Sequence, residues 1–143
     1  MAIKFFYDQT SYRQKDGKKI KKIIKEIISC EKKIAGDINI VFTDDASLIK
    51  INREFLQHNY FTDVISFSYN EETFVKGEIY ISVDTVRENS INYNVSLKDE
   101  IARVIFHGVL HLCDYDDGDE VSRERMRQLE NFWLKQFYEK RDV

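Results

Sequence analysis

The apolar residues of this chain fall into two periodicities. Ile3 to Tyr7, Asp37 to Phe42, Val64 to Ser68 and Glu78 to Ser82 read as strands, the second and last by alternation, with Lys76-Gly77 read as a turn before the last. Helical spacing marks the rest. Ile20, Ile23, Ile24, Ile27 and Ile28 give Lys18 to Ser29 one apolar stripe. Thr43 or Asp44 caps a helix that runs to about Leu56, and a further helix covers Val83 to Asn89. Ser96, with Asp99 three residues on, opens a largely apolar helix over Leu97 to Cys113. Val121 to Tyr138 is the last helix, with Met126, Leu129, Phe132, Trp133 and Phe137 expected on its buried side. The pattern predicts an α+β fold, a small mixed sheet covered by helices with the 97–113 helix at its centre, in one domain over residues 1–143.

Composition narrows the setting. The chain has 143 residues, 43% of them apolar, enough for a packed core that buries about 70% of the surface. No apolar run reaches membrane-spanning length, and Met1 to Thr10 lacks a signal-peptide pattern, so no membrane role is expected. Two cysteines, Cys30 and Cys113, build no disulfide framework and point to a reducing, cytoplasmic location. The net charge of −3 hides an asymmetry: Ser11 to Lys33 holds nine Lys/Arg against three Asp/Glu. Lys18, Lys21, Lys22 and Lys25 are candidate contacts to a phosphate backbone if their face borders the chemical site; otherwise they are the solvated side of an amphipathic helix.

The chemistry sits in His107-Gly108-Val109-Leu110-His111-Leu112-Cys113-Asp114-Tyr115-Asp116-Asp117. Histidines four apart on a helix stand on one face and can reach one metal ion. Two core histidines are the alternative, but buried imidazoles without partners cost several kcal/mol. A metal or an acidic cluster is the natural partner, and four aspartates follow between 114 and 119. The third ligand is open at this point. Asp114 shares the histidine face if the helix continues, whereas Asp117 folds back only if the helix has ended. Three protein ligands with an open position suit a catalytic ion. Cys113 points elsewhere and reads as a small hydrophobe. Zinc peptidases carry Glu directly after the first His; here that residue is Gly108.

The run from His107 to Asp117 resembles the signature of the YbeY endoribonuclease family, His-Gly/Glu-x-Leu-His-Leu-x-Gly-Tyr-Asp-His. Two further blocks match in order. Asn52 with Thr62-Asp63-Val64-Ile65-Ser66-Phe67 resembles the family's Thr-Asp-Val-Leu-Ser-Phe block, and Gly77-Glu78-Ile79-Tyr80-Ile81-Ser82 resembles its Gly-Asp-Ile-x-Ile-Ser strand. The resemblance implies one zinc per chain held by His107, His111 and Asp117, with Asp117 in place of the family's third histidine. That change opens the site to other divalent ions. The family's glycine before Tyr115 is Asp114, expected to leave a second carboxylate near the metal. Its arginine aligns with Leu56.

The resemblance implies a single-strand-specific, metal-dependent endoribonuclease acting in ribosomal RNA maturation and ribosome quality control. Its expected partners are single-stranded RNA and the small ribosomal subunit, with no DNA. Because Leu56 cannot stabilise a phosphate, Arg53, His58 and Arg103 are the candidate catalytic cations, in that order. The attacking water is expected to give its proton to solvent or to Asp114. Two alternatives are a zinc peptidase or amidase, and a non-catalytic ribosome-associated metal protein.

Overall fold

The computed structural model describes residues 2–56 and 62–139. Four strands, β1 (Ile3–Tyr7), β2 (Ile34–Thr43), β3 (Val64–Ser68) and β4 (Phe74–Ser82), form a sheet in the order β1-β2-β4-β3. β2 pairs parallel with β1 and β4, and β3 pairs antiparallel with β4. Around them lie α1 (Gly17–Cys30), α2 (Asp45–Leu56), α3 (Val83–Asn92), α4 (Leu97–Leu112) and α5 (Glu120–Glu139). This is the mixed, helix-covered α+β sheet that the spacing predicts.

One sheet face is buried along its length. Ile3, Ile38, Ile40, Phe42, Ile79 and Ile81 lie on it and are nearly or fully inaccessible. They share a core cluster with the isoleucine stripe of α1 and the apolar side of α4. α4 rests on β3 and β4 and also touches α1, α3 and α5, so it is the central helix. Glycine makes that approach close. A Cβ on Gly108 would lie 2.8 Å from Ile79 Cγ2, and one on Gly77 would lie 2.4 Å from the Phe67 carbonyl oxygen and 2.7 Å from Leu112 Cδ2.

Two local expectations are corrected. Lys76 and Gly77 are not a turn but lie inside β4, which starts at Phe74 and pairs with β2 from Ile34 onward. Ladder pairing overrides the local turn signal, and Gly77 is small because α4 and β3 crowd it. The reversal falls earlier, at Glu71–Phe74, where Glu72 takes a positive φ of 54°. Phe132 does not join the buried stripe of α5 and is 52% exposed. The buried register runs through Met126, Glu130, Trp133, Leu134 and Phe137, and position 132 lies off it.

Candidate metal centre

The site is built where α4 ends. Ser96 Oγ accepts the Asp99 N–H at 3.1 Å and starts the helix, as its sequence predicts. At the other end Asp114 takes the left-handed conformation, φ 72°. Its N–H donates to the His111 carbonyl, and the Tyr115 N–H donates to the Leu110 carbonyl. That pair of bonds is a Schellman cap, whose left-handed position favours glycine. The helix has therefore ended, and of the two routes left open by the sequence the chain takes the one through Asp117. Asp116 Oδ1 then accepts the N–H groups of Asp117 and Gly118 at 2.7 and 2.9 Å, tightening the return.

His107, His111 and Asp117 come together. His107 Nε2 and His111 Nε2 are 3.0 Å apart, and each lies 3.4 Å from Asp117 Oδ2. A tetrahedral ion with arms of ~2.0–2.1 Å separates its ligand atoms by about 3.3–3.4 Å. The hydrogen bonds show what these nitrogens carry. His111 Nδ1 lies 2.9 Å from the Tyr115 carbonyl oxygen, which can only accept, so Nδ1 bears the proton. His107 Nδ1 lies 2.6 Å from Glu130 Oε2 and donates to it. Neutral rings so arranged turn two bare Nε2 lone pairs and a carboxylate oxygen toward one point. A divalent cation at that point would satisfy all three, as a proton shared between the two Nε2 atoms would satisfy the rings alone, and the donor set fits a metal. Among the described residues this is the group of side chains that could hold a metal ion.

Glu130, a buried carboxylate on α5, went unnamed in the sequence reading. Its other oxygen accepts Arg103 Nη1 at 2.9 Å, while Arg103 Nη2 donates to Asn131 Oδ1 at 2.7 Å. Burial opposes its charge, but the His107 and Arg103 hydrogen bonds and charges hold its carboxyl below the usual range. Burial likewise opposes a charge on His107, yet Glu130, Asp117 and Asp63 together keep its ring above the ordinary imidazole value. The signal for Glu130 was present: an acidic residue stands in the apolar register of the last helix, four residues after Met126.

Two clefts meet at the group. One, of about 600 Å³, is lined by Asn52, Leu56, Thr62, Ser66 and Ser68. The other, of about 470 Å³, is lined by Asn89, Tyr93, Arg103, Arg123, Arg127 and Glu130. Asp63, His107 and Asp117 border both. Asp63 is a half-buried carboxyl whose value desolvation raises, against the pull of His107.

The remaining candidates lie apart from the ligand group. The expectation of a second carboxylate beside the metal is not met: Asp114 pairs with Lys33 Nζ at 3.0 Å and borders neither cleft, because the left-handed cap turns it toward the α1–β2 corner. Arg53 is exposed on α2 and lines neither cleft, whereas Leu56 lines the larger one. His58 lies outside the described residues. Arg103 borders the smaller cleft but is engaged by Glu130 and Asn131. Lys18, Lys22 and Lys25 are exposed, and Lys21 Nζ sits 5.3 Å from the centre of the Phe5 ring; none of the four borders a cleft. Cys113 is buried as expected, and burial pushes its thiol up to about 11. A Cβ on Gly108 would meet Ile79 Cγ2 at 2.8 Å, so any side chain there, a peptidase-type Glu included, would force Ile79 to shift.

Residues 5–138 match the family model for endoribonuclease YbeY. The chain is 41% identical over 119 residues to the endoribonuclease YbeY of Flavobacterium psychrophilum, covering 83% of this chain and 85% of that one. It is 36% identical over 131 residues to that of Parabacteroides distasonis, covering 92% of each. A solution structure of a Thermotoga maritima protein superposes with a TM-score of 0.66 at 25% identity, covering 96% of this chain and 89% of that one. With the family model spanning nearly the whole chain and the histidine helix, its cap and Asp117 all within the matched region, this chain belongs to the endoribonuclease YbeY family.

Proposed function

We propose that this chain is a zinc-dependent endoribonuclease that cuts single-stranded RNA during ribosomal RNA maturation and ribosome quality control. Its setting is the cytoplasm and its partner the small ribosomal subunit. The observation that carries this reading is the convergence of His107 Nε2, His111 Nε2 and Asp117 Oδ2 where two clefts meet, in a member of an endoribonuclease family. No helix among the described residues is long and apolar enough to cross a membrane.

His107, His111 and Asp117 would hold a single divalent ion, which supplies Lewis-acid charge for phosphodiester hydrolysis. The chain's own residues set the stage for it. Glu130 and the Tyr115 carbonyl each hold an Nδ1 proton, which fixes both rings with Nε2 facing inward. Asp63 borders both clefts and takes the proton-accepting place first assigned to Asp114. Thr62, Ser66 and Ser68 offer hydroxyls to a nucleotide in the larger cleft. The α1 lysines and Arg53 act on RNA at a distance, as attraction rather than contact.

The test is cleavage of single-stranded RNA, with duplex RNA and casein as controls. The reading expects cleavage of single strands alone, lost on chelation and restored by zinc. Absence of cleavage by the zinc-loaded protein would overturn the endoribonuclease reading.

A further inference from the structure

The two clefts beside the ligand group differ in the cations that line them. Among the described residues the larger one is lined by no lysine or arginine, and Leu56 occupies the position where the family resemblance places a cation. The smaller one is lined by Arg103, Arg123 and Arg127, along with the carboxylates Asp63, Glu100, Asp117 and Glu130. Arg103 is taken up by Glu130 and Asn131. The other two are exposed on α5, one helical turn apart and therefore on the same face. Arg123 makes one long contact, Nη1 to the Gly118 carbonyl at 3.4 Å. Arg127 makes no hydrogen bond or close ion pair with a described residue, though it feels the charge of buried Glu100. Two guanidinium groups with spare donors therefore sit at the rim of a cleft of about 470 Å³ that shares His107, Asp117 and Asp63 with the larger cleft. Guanidinium is the side chain best matched to phosphate oxygens.

We infer that this cleft is a phosphate-binding subsite, in which Arg123 and Arg127 hold backbone phosphates of an RNA strand on one side of the bond to be cut. The inference rests on the endoribonuclease reading. The strand crosses the ligand group, with phosphates in the arginine cleft and a nucleoside in the larger, hydroxyl-lined cleft. The cationic contribution missing at Leu56 is thereby supplied from α5, across the metal group. The α1 lysines, which border neither cleft, contribute little to this contact.

The test uses the zinc-loaded full chain and a short single-stranded RNA in single-turnover cleavage. The half-saturating protein concentration is read at several salt concentrations. The Arg123→Gln, Arg127→Gln double variant should raise that concentration tenfold or more. It should also flatten the log–log salt slope by about 1.4, since each phosphate contact on a single strand contributes ~0.7. Zinc affinity measured by calorimetry should stay at the wild-type value. The Arg123→Lys, Arg127→Lys variant, which keeps both charges, should keep most of the slope. Neutral methylphosphonate linkages on one side of the scissile bond should weaken the wild type and leave the Gln variant unaffected. An unchanged half-saturation and slope in the Gln variant, or equal sensitivity of both proteins to methylphosphonates, overturns the subsite. A wild type that cleaves no RNA under these conditions overturns the endoribonuclease reading itself.

Discussion

Replacing Glu130 by Gln tests how the ligand helix is held. The carboxylate serves two partners, His107 Nδ1 at 2.6 Å and Arg103 Nη1 at 2.9 Å. A glutamine has the same shape but only one oxygen, so its amide nitrogen must face one of these two donors. Either His107 loses its Nδ1 partner and the preference for a bare Nε2, or Arg103 loses its carboxylate. Partners of this kind contribute about 10–100-fold in metal affinity, which corresponds to ~1.4–2.7 kcal/mol. Arg103 is partly exposed at 30%, so water takes up some of its loss. The full ~3–5 kcal/mol of a broken buried pair is therefore not expected, and about 1–2 kcal/mol of metal-free stability is. Zinc titration by calorimetry, with nitrogen NMR of the ring tautomers, reads both effects. Glu130→Asp, which keeps the charge but shortens the reach, should fall between. A zinc affinity in Glu130→Gln within threefold of wild type, with His107 still protonated on Nδ1, would refute the reasoning.

Further consequences follow from the same geometry. Gly108→Ala places a methyl 2.8 Å from Ile79 Cγ2 and should cost about 1–3 kcal/mol by chemical denaturation, without creating peptidase activity. Asp114→Gly relieves a left-handed cap but gives up the Lys33 pair; relief of about 1 kcal/mol against an exposed pair of ~0–1 kcal/mol predicts an unchanged or raised melting temperature, and zinc affinity near wild type. For the metal-free chain, Glu130 lies below its ordinary 4.5 and contributes stability present above that value and lost as pH falls through the lowered one. His107 lies above its ordinary 6.5, so its contribution is present below 6.5 and lost as pH rises through the raised value. Melting curves in chelator should therefore peak between the two, whereas the zinc-loaded protein should keep gaining stability as the rings deprotonate. At zinc one hundredfold above its dissociation constant, the metal should add about 2.7 kcal/mol, or roughly 5–10 °C in melting temperature.

What the sequence revealed was what local spacing encodes. The isoleucine stripe of α1, the Ser96 cap and the 107/111 pair each depend on residues within two helical turns, and each stands where the pattern places it. The third ligand depended on whether α4 stops at Leu112, which Asp114 obscures because the cap position carries aspartate instead of glycine. Lys76 and Gly77 looked like a turn because pairing with β2, some forty residues away, is invisible in a short window. Glu130 was missed because its partner lies on another helix, although a carboxylate in the buried register of α5 is itself a signal. Asp114 was grouped with the site by helical spacing, Arg53 as a cation on the helix of Leu56 and the lysines by charge, and only the path of the chain separates them from the clefts.

The central claim is that His107, His111 and Asp117 hold a divalent ion on which RNA cleavage depends. Its most direct test pairs metal analysis with single-strand RNA cleavage for the wild type, His111→Ala and Asp117→Asn. The account predicts an ion and cleavage in the wild type, neither in His111→Ala, and weakened binding with slowed cleavage in Asp117→Asn. Undiminished cleavage by a wild-type protein shown to be free of metal, or full metal content in His111→Ala, would contradict it.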